Sequence, residues 1–371
     1  MVRVSNLQKS KRHGWLKSKK VHLLLAALIG AAIYASRNRN TVPSFGGLIS
    51  FEHASAAKNR YDFHVDKSCT DLPSIRASGS YFLDSKIEGG VSPDSIRPSF
   101  KVGSLYAQKV PYHMNGDAAN FHLLKEVITE HGEKSGLAFD IGANQGFYTY
   151  YMATLGMHVH AFEINEDNFK SLQHGAEFNP RAVSDRINLY PVGLGEKNGR
   201  FGMQGSNYEG FLKEKADAPI QGVSFDCFAD HMKGKLDISN IAFIKLDVEG
   251  FETAVLKGFH NSLYKYSKIG GMLMEVGPSR WQRANVDLAT GTSEMELLAK
   301  QFKSSYIILR SGNDKYGKTC PGSIATDTLA DKNPETLEGG SNKYVVKSSE
   351  WKPLLALMNQ HKYDCNLFYK N

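Results

Sequence analysis

A chain of 371 residues, 41% hydrophobic and 22% charged, is long enough for one large domain with extensions or for two domains, and its composition excludes a disordered or fibrous protein. The formal net charge of +7 describes no single part of it. The first forty residues hold nine Lys or Arg and no Asp or Glu, which leaves a balance of −2 after Asn40 and excludes a basic, nucleic-acid-tracking surface in the remainder.

From Val21 to Ser36 there is no Lys, Arg, Asp or Glu, and most residues are apolar. A membrane span takes about 20 residues, so this run is short and would draw on Trp15 and Leu16 or on residues after Thr41. Seven basic residues precede it and two follow closely. The positive-inside bias then keeps the N-terminus in the cytosol and carries the rest across. The expectation is a single-pass type II membrane protein. It has a basic cytosolic tail at 1–20, a signal anchor at 21–36, a stem and N-terminal extension at 37–100, and the main domain at 101–371. A cleaved signal peptide is the rival, because the run is also of h-region length. In a eukaryote a short span suits the endoplasmic reticulum or Golgi.

Short strands are expected at Tyr81–Leu83 and Phe100–Val102. Asp117 to His131 carries Phe121, Leu124, Val127 and Ile128 on one face and reads as a helix. Strands and helices then alternate, which implies a parallel sheet flanked by helices. Strands are expected at 137–141, 158–163, 187–192, 241–246 and 269–276. Helices are expected to Leu155, at Glu166–Phe178, at Phe251–Leu256 with Gly258 as stop, and at Ser293–Phe302. Phe201–Met203 and Val223–Phe225 read as extra strands around a polar insert. Tyr306–Arg310 and Tyr344–Lys347 are expected as the last two strands, antiparallel neighbours, with a helix at Trp351–Gln360 closing the chain. The polar stretch Ser311–Lys343 between them is long enough to be functional or disordered. Cys69, Cys227, Cys320 and Cys365 form no C-x-x-C pair, so no zinc or redox motif is present. In an oxidising lumen Cys320 with Cys365 is the expected disulfide; the alternative is four unlinked thiols, with Cys227 simply buried.

The stretch Leu137-Ala-Phe-Asp-Ile-Gly-Ala-Asn-Gln-Gly-Phe-Tyr-Thr149 runs from an apolar strand through a glycine turn into a helix start. Glycines allow close backbone approach, and a helix N-terminus offers N–H groups. Asn144 tolerates the left-handed backbone such turns need. The acid Asp140 ahead of the loop is not part of the dinucleotide fingerprint, which begins with glycine. It suits a ligand with a positive amino group. Together with Ala161-Phe-Glu-Ile-Asn165 and Phe243-Ile-Lys-Leu-Asp-Val-Glu-Gly-Phe-Glu252, the stretch resembles the motifs of FkbM-type methyltransferases, in the order and spacing of that family. The resemblance covers roughly the last two-thirds of the chain. It implies an α/β, Rossmann-like class I methyltransferase fold: a mostly parallel seven-stranded sheet, helices on both faces, and an antiparallel last strand. It also implies S-adenosyl-L-methionine as methyl donor.

Ligands of open parallel sheets sit at the carboxyl ends of the strands. By the resemblance, the donor is held by Asp140, Gly142, Asn144, Gly146, Phe147, Glu163, Val192, Gly193 and Asp247. Glu163, about 20 residues past the loop, is placed to accept hydrogen bonds from ribose hydroxyls. Val192 and Gly193 would wall the adenine. Asn165 is read as a helix cap. Asp247, Glu249 and Glu275 end two neighbouring strands and are the catalytic candidates, because a hydroxyl acceptor needs a base. Three carboxylates could hold a hard cation such as Mg²⁺, but no metal is expected. Glu252 is read as structural, and Lys245 as structural or acceptor-binding. Trp281 and Arg283 are candidates for stacking on a sugar ring. The expectation is a membrane-anchored O-methyltransferase acting on a sugar hydroxyl of a glycan or glycolipid, with no nucleic-acid partner. The alternatives are an NAD(P)-dependent oxidoreductase and a catalytically inactive lumenal scaffold.

Overall fold

The computed structural model describes residues 75–76, 117–131, 136–204, 211–214, 220–309, 320–322, 324, 329, 333–337 and 340–371. The expected signal anchor, all of the stem except residues 75–76, the strands at 81–83 and 100–102, and most of the 311–343 insert lie outside the described residues. No helix among the described residues is long and apolar enough to cross a membrane.

The expected alternation of strand and helix is present. β1 (Ile75–Arg76) and α1 (Ala118–His131) precede β2 (Leu137–Ile141), α2 (Phe147–Thr154), β3 (His158–Phe162), α3 (Glu166–Phe178), the short α4 (Arg181–Ser184) and β4 (Ile187–Tyr190). A smaller sheet follows from β5 (Gly193–Gly195), β6 (Gly199–Gln204), β7 (Phe211–Glu214) and β8 (Ile220–Ser224). After α5 (Phe225–His231) come β9 (Asn240–Leu246), α6 (Glu252–Lys257), α7 (Leu263–Tyr266) and β10 (Lys268–Val276). A 3-10 helix at Pro278–Ala284 and α8 (Leu288–Ala299) lead to β11 (Ser304–Leu309), β12 (Glu335–Thr336), β13 (Asn342–Val345), α9 (Trp351–His361) and β14 (Cys365–Lys370).

The main sheet has the order β1-β4-β3-β2-β9-β10-β14-β11-β13-β12. From β4 to β10 all pairings are parallel, and β14 is antiparallel to both β10 and β11. Central strands with helices on both faces carry near-continuous apolar runs. All five residues of β2 are buried, and so are six of the seven in β9. Along β2, Leu137, Phe139 and Ile141 join the apolar layer that contains Phe225, Phe228 and Trp281, and Ala138 joins the opposite layer with Phe121, Tyr151 and Leu172. Side-chain oxygens stop the helices from fraying at their starts. Asn165 Oδ1 accepts from Asp167 N and Asn168 N, both at 3.0 Å, and Asp287 Oδ1 accepts from Thr290 N at 2.7 Å.

Two expectations are corrected. The sheet has ten strands, because β1, β12 and β13 extend the seven-stranded centre. α9 does not close the chain; β14 follows it and inserts between β10 and β11. Its run Leu367-Phe368-Tyr369 is wholly buried, so it lacks the alternation that marks a strand in sequence. β11 and β13 are antiparallel neighbours as expected, with Tyr306 opposite Val345. Cys320 and Cys365 form a disulfide, and Cys227 is also disulfide-bonded, not a free buried thiol.

Candidate functional site

β2 and β9 lie side by side, yet the chain leaves them toward opposite edges of the sheet, so a crevice opens at their carboxyl ends. The loop after β2 is left-handed at Gly142 (φ 78), Asn144 (φ 51) and Gly146 (φ 89). At Gly142 only glycine fits, since a Cβ there would lie 1.8 Å from Asp247 O. Gly142 N and Ala143 N donate to Phe162 O at 3.0 and 2.9 Å, and Gly146 N donates to Ala143 O at 2.9 Å. Asn144 N donates to Glu163 Oε2 and Asn165 N to Glu163 Oε1, both at 2.7 Å. These four loop amides are therefore engaged within the protein, which leaves little of the loop for a pyrophosphate and disfavours the dinucleotide alternative.

Glu163 is 7% exposed, and burial pushes its carboxyl up to about 6 against the two backbone bonds. Each of its oxygens keeps a second lone pair, so a carboxylate held in this way still has acceptors for two ribose hydroxyls. A cleft opens beside it. Of the residues named from sequence, Gly142, Asn144, Glu163, Val192, Gly193, Asp247 and Glu249 line it. So do Ile164 and Phe251, which lie within the quoted motifs but were not singled out, and Met203, which lies outside them. Asn165 both caps α3 and borders the cleft.

Asp140, Gly146 and Phe147 do not line the cleft. Asp140 is fully buried beneath the loop, where its Oδ2 accepts from Thr149 Oγ1 at 2.5 Å. Burial raises its carboxyl, and Lys245 and Thr149 oppose that shift. A Cβ on Gly146 would meet Leu172 Cδ1 and Tyr150 at about the same 2.5 Å, so this glycine serves the packing of α2 against α3. Phe147 packs with the α1–α2 layer.

Lys245 links the two ends of the site. It is 5% exposed. Its Nζ donates to Gly142 O at 2.7 Å, stands 3.7 Å from Asp140 Oδ1 and 3.5 Å from Asp247 Oδ2, and lies 5.5 Å from the centre of the Tyr148 ring. Burial pulls its ammonium down, but Asp247, Asp140 and Glu275 outweigh that and hold it above its ordinary value.

The three catalytic candidates meet. Asp247, Glu249 and Glu275 each offer an oxygen within 4.8 Å of the others. Sequence did not single out Arg280, which supplies the counter-charge: it donates to Glu249 Oε2 and reaches Glu275 Oε1 at 3.1 Å. Burial and then the Asp247 charge push Glu249 up to about 7, with Arg280 and Arg283 opposing. The same two causes push Glu275 well above the usual carboxylate range. Such a group, able to take a proton near neutrality, is suited to general-base work. Glu252 is buried and accepts from Gly250 N at 2.8 Å, a structural role. Trp281 is fully buried in the core and Arg283 donates to Glu249 O at 2.8 Å, so the stacking expected of this pair is corrected: the indole has no face toward the crevice. His160 is buried against Tyr190, with Nδ1 2.8 Å from the phenol oxygen, and burial lowers it to about 3.

Residues 140–302 match the family model of the methyltransferase FkbM domain. Comparison with curated proteins gave no match. Among solved structures, the METTL16 MTase domain is similar at 12% identity over 68% of this chain and 66% of that one, with a TM-score of 0.34. The SAM-dependent methyltransferase NGO1261 from Neisseria gonorrhoeae is similar at 15% identity over 42% and 59%, TM-score 0.27. The O-methyltransferase from Bacillus cereus in complex with SAH is similar at 14% identity over 60% and 79%, TM-score 0.31. The chain spans less than two thirds of the first two of these.

Proposed function

We propose, from the premise that this chain carries a methyltransferase FkbM domain and is an S-adenosylmethionine-dependent methyltransferase, that it methylates a hydroxyl oxygen of a carbohydrate, on a glycan or glycolipid. One observation carries the reading: Asp247 and Glu249 border the donor cleft and also meet Glu275, so proton acceptors stand where a methyl group would leave the cleft. The donor supplies a sulfonium methyl, already an electrophile. Gly142 lets the backbone approach it, Glu163 holds ribose hydroxyls, and Val192, Gly193 and Met203 wall the base. The acceptor oxygen gives its proton to Glu249 or Asp247 as its bond to the methyl carbon forms and the sulfur–methyl bond breaks. S-adenosylhomocysteine leaves with the bonding pair on sulfur. Alignment and proton removal are the work left to the protein.

The same reading makes residues 21–36 a signal anchor, 37–100 a stem and 101–371 the catalytic part on the lumenal side of the endoplasmic reticulum or Golgi. The charge-free run, the nine basic residues around it and a disulfide, Cys320–Cys365, of the kind that persists in oxidising compartments, support it. Protection of the catalytic part from added protease in sealed microsomes is the expected result; full digestion would place it on the cytosolic face.

Calorimetry of S-adenosylmethionine binding to the full chain tests the donor site. Micromolar affinity is expected. Glu163→Ala and Asp140→Asn should each weaken it about tenfold or more, roughly 1.4 kcal/mol, the first by losing ribose contacts and the second through the loop above Asp140. Release of S-adenosylhomocysteine in the presence of a panel of unprotected mono- and disaccharides tests the acceptor. Donor binding with no saccharide-dependent release, and release with a phenol or carboxylate panel instead, would sink the carbohydrate reading.

A further inference from the structure

The 3-10 helix at Pro278–Ala284 is docked against the tip of β9. A Cβ on Gly250, at φ +102, would meet Arg280 O at 2.7 Å and Arg280 Cβ at 2.8 Å. Glu249 stands at φ 55, an uncommon backbone for a residue with a side chain. Its carbonyl is held by Arg283 and its carboxylate by Arg280. The same guanidinium reaches Glu275 Oε1 at 3.1 Å and Asp364 Oδ1 at 3.0 Å, so one planar fork joins acids from the tip of β9, from β10 and from the residue before β14. Gly277 lies bare beneath it. A Cβ there would meet Asp364 Oδ1 at 2.0 Å and Arg280 Nε at 2.6 Å. The backbone at Gly277 has φ −122, open to any residue, so the space, and not the turn, asks for glycine. Asp364 is fixed in turn: its carbonyl accepts from Cys320 N at 3.1 Å, next to the Cys320–Cys365 disulfide.

We infer that Arg280 is the positioning residue of the acceptor end: pinned by Asp364 over Gly277, it holds Glu249 and Glu275 side by side without itself touching the acceptor. The inference rests on the reading that these acids serve the acceptor. Its physical basis is charge balance. Asp247, Glu249, Glu252, Glu275 and Asp364 converge here, and among the described residues Lys245 and Arg283 are the cations left to oppose them without Arg280. Like charges that close raise one another's proton affinity and drive the side chains apart.

The test follows the glutamate carboxyls by NMR in the full chain labelled with ¹³C at Glu Cδ and saturated with S-adenosylmethionine. Wild type, Arg280→Gln, Arg280→Lys and Gly277→Ala are titrated with pH. Glu249 in the wild type should titrate at about 7. Arg280→Gln should raise that midpoint by about one pH unit, a tenfold gain in proton affinity, and Arg280→Lys should restore part of the difference. Gly277→Ala removes no charge and is milder on folding, yet it should shift the midpoint the same way by displacing the fork. Donor affinity should stay within about twofold in all three, because neither residue lines the donor cleft. An unmoved midpoint in an Arg280→Gln protein that still binds donor overturns the inference, and an unmoved midpoint in Gly277→Ala overturns the pinning. A midpoint that moves as expected, while saccharide-dependent turnover ignores it, would sink the general-base reading and leave the positioning role standing.

Discussion

At the donor end, Gly142, Asn144 and Gly146 turn the chain with backbone alone, and Glu163 fastens to two amides of neighbouring loops. At the acceptor end, Asp247, Glu249, Glu275, Arg280 and Asp364 come from four separate stretches and meet through side chains. The first end is set by backbone dihedrals and by hydrogen bonds within the loop or to an adjacent strand. The second is held by mutual charge, so it depends on every member being present and is open to pH. On the proposed reading, a donor common to many reactions suits the first kind of construction, and an acceptor that differs from enzyme to enzyme suits the second.

Lys245 belongs to both ends, and removing it should erase the distinction. Lys245→Met would leave Asp140 buried with no counter-charge and free Asp247 from its partner, a loss of about 3–5 kcal/mol by analogy with broken buried ion pairs. Thermal unfolding should fall steeply and donor binding with it. Retained stability would mean that Asp140 is neutral in the fold. Gly142→Ala should strike the donor end alone. Its Cβ meets backbone, not a flexible side chain, at a positive φ, for a cost of about 3 kcal/mol; calorimetry should detect no donor binding, while the Glu249 titration should survive in whatever fraction folds.

The acceptor end should respond to pH in a defined direction. The folded-state value of Glu249, about 7, lies above its ordinary 4.5. Its contribution to stability is therefore complete below 4.5 and is lost as pH rises through 7, with a slope of up to about 1.4 kcal/mol per pH unit. Glu163 and Glu252, both raised to about 6, act in the same sense. Glu249→Gln should flatten the fall in melting temperature across that interval without abolishing it. Saccharide-dependent turnover should rise over the same interval, because a base works only when deprotonated. Stability and activity that rise together with pH would contradict the assignment. The smallest effect is expected from Met203→Ala at the edge of the donor cleft: about 0.5 kcal/mol, a roughly twofold loss of donor affinity, since a thioether contributes contact area and no directional bond.

How far the sequence could be read differs between the two ends for the same reason that they respond differently to mutation. The glycine loop, Glu163 and the Asp247-Val-Glu249 tip each follow a buried strand, and local rules place them at its carboxyl end. Asn144 was legible as a left-handed residue because its own side chain tolerates that backbone. Arg280 was not legible. It follows strand β10 within a stretch of ordinary loop composition, and nothing local says that its guanidinium turns back to Glu249 while the adjacent Trp281 turns into the core. β14 escaped because a short strand buried on both faces shows neither alternation nor turn signals, and its place between β10 and β11 depends on partners far apart in sequence.

The strand–helix alternation, the left-handed loop, Glu163 and the carboxylates at the strand tips can all be read from local residue patterns. Hydrophobic periodicity, glycine stereochemistry and short-range spacing are all written within a few residues of where they act. It takes the folded chain to bury Asp140 beneath the loop and away from the cleft, to bridge Asp140 and Asp247 through Lys245, and to join Glu249, Glu275 and Asp364 through Arg280, with the Cys320–Cys365 disulfide next to Asp364. Those contacts are electrostatic and steric, most of them join segments separated by tens of residues, and their sign and strength exist only once burial has removed the water between them.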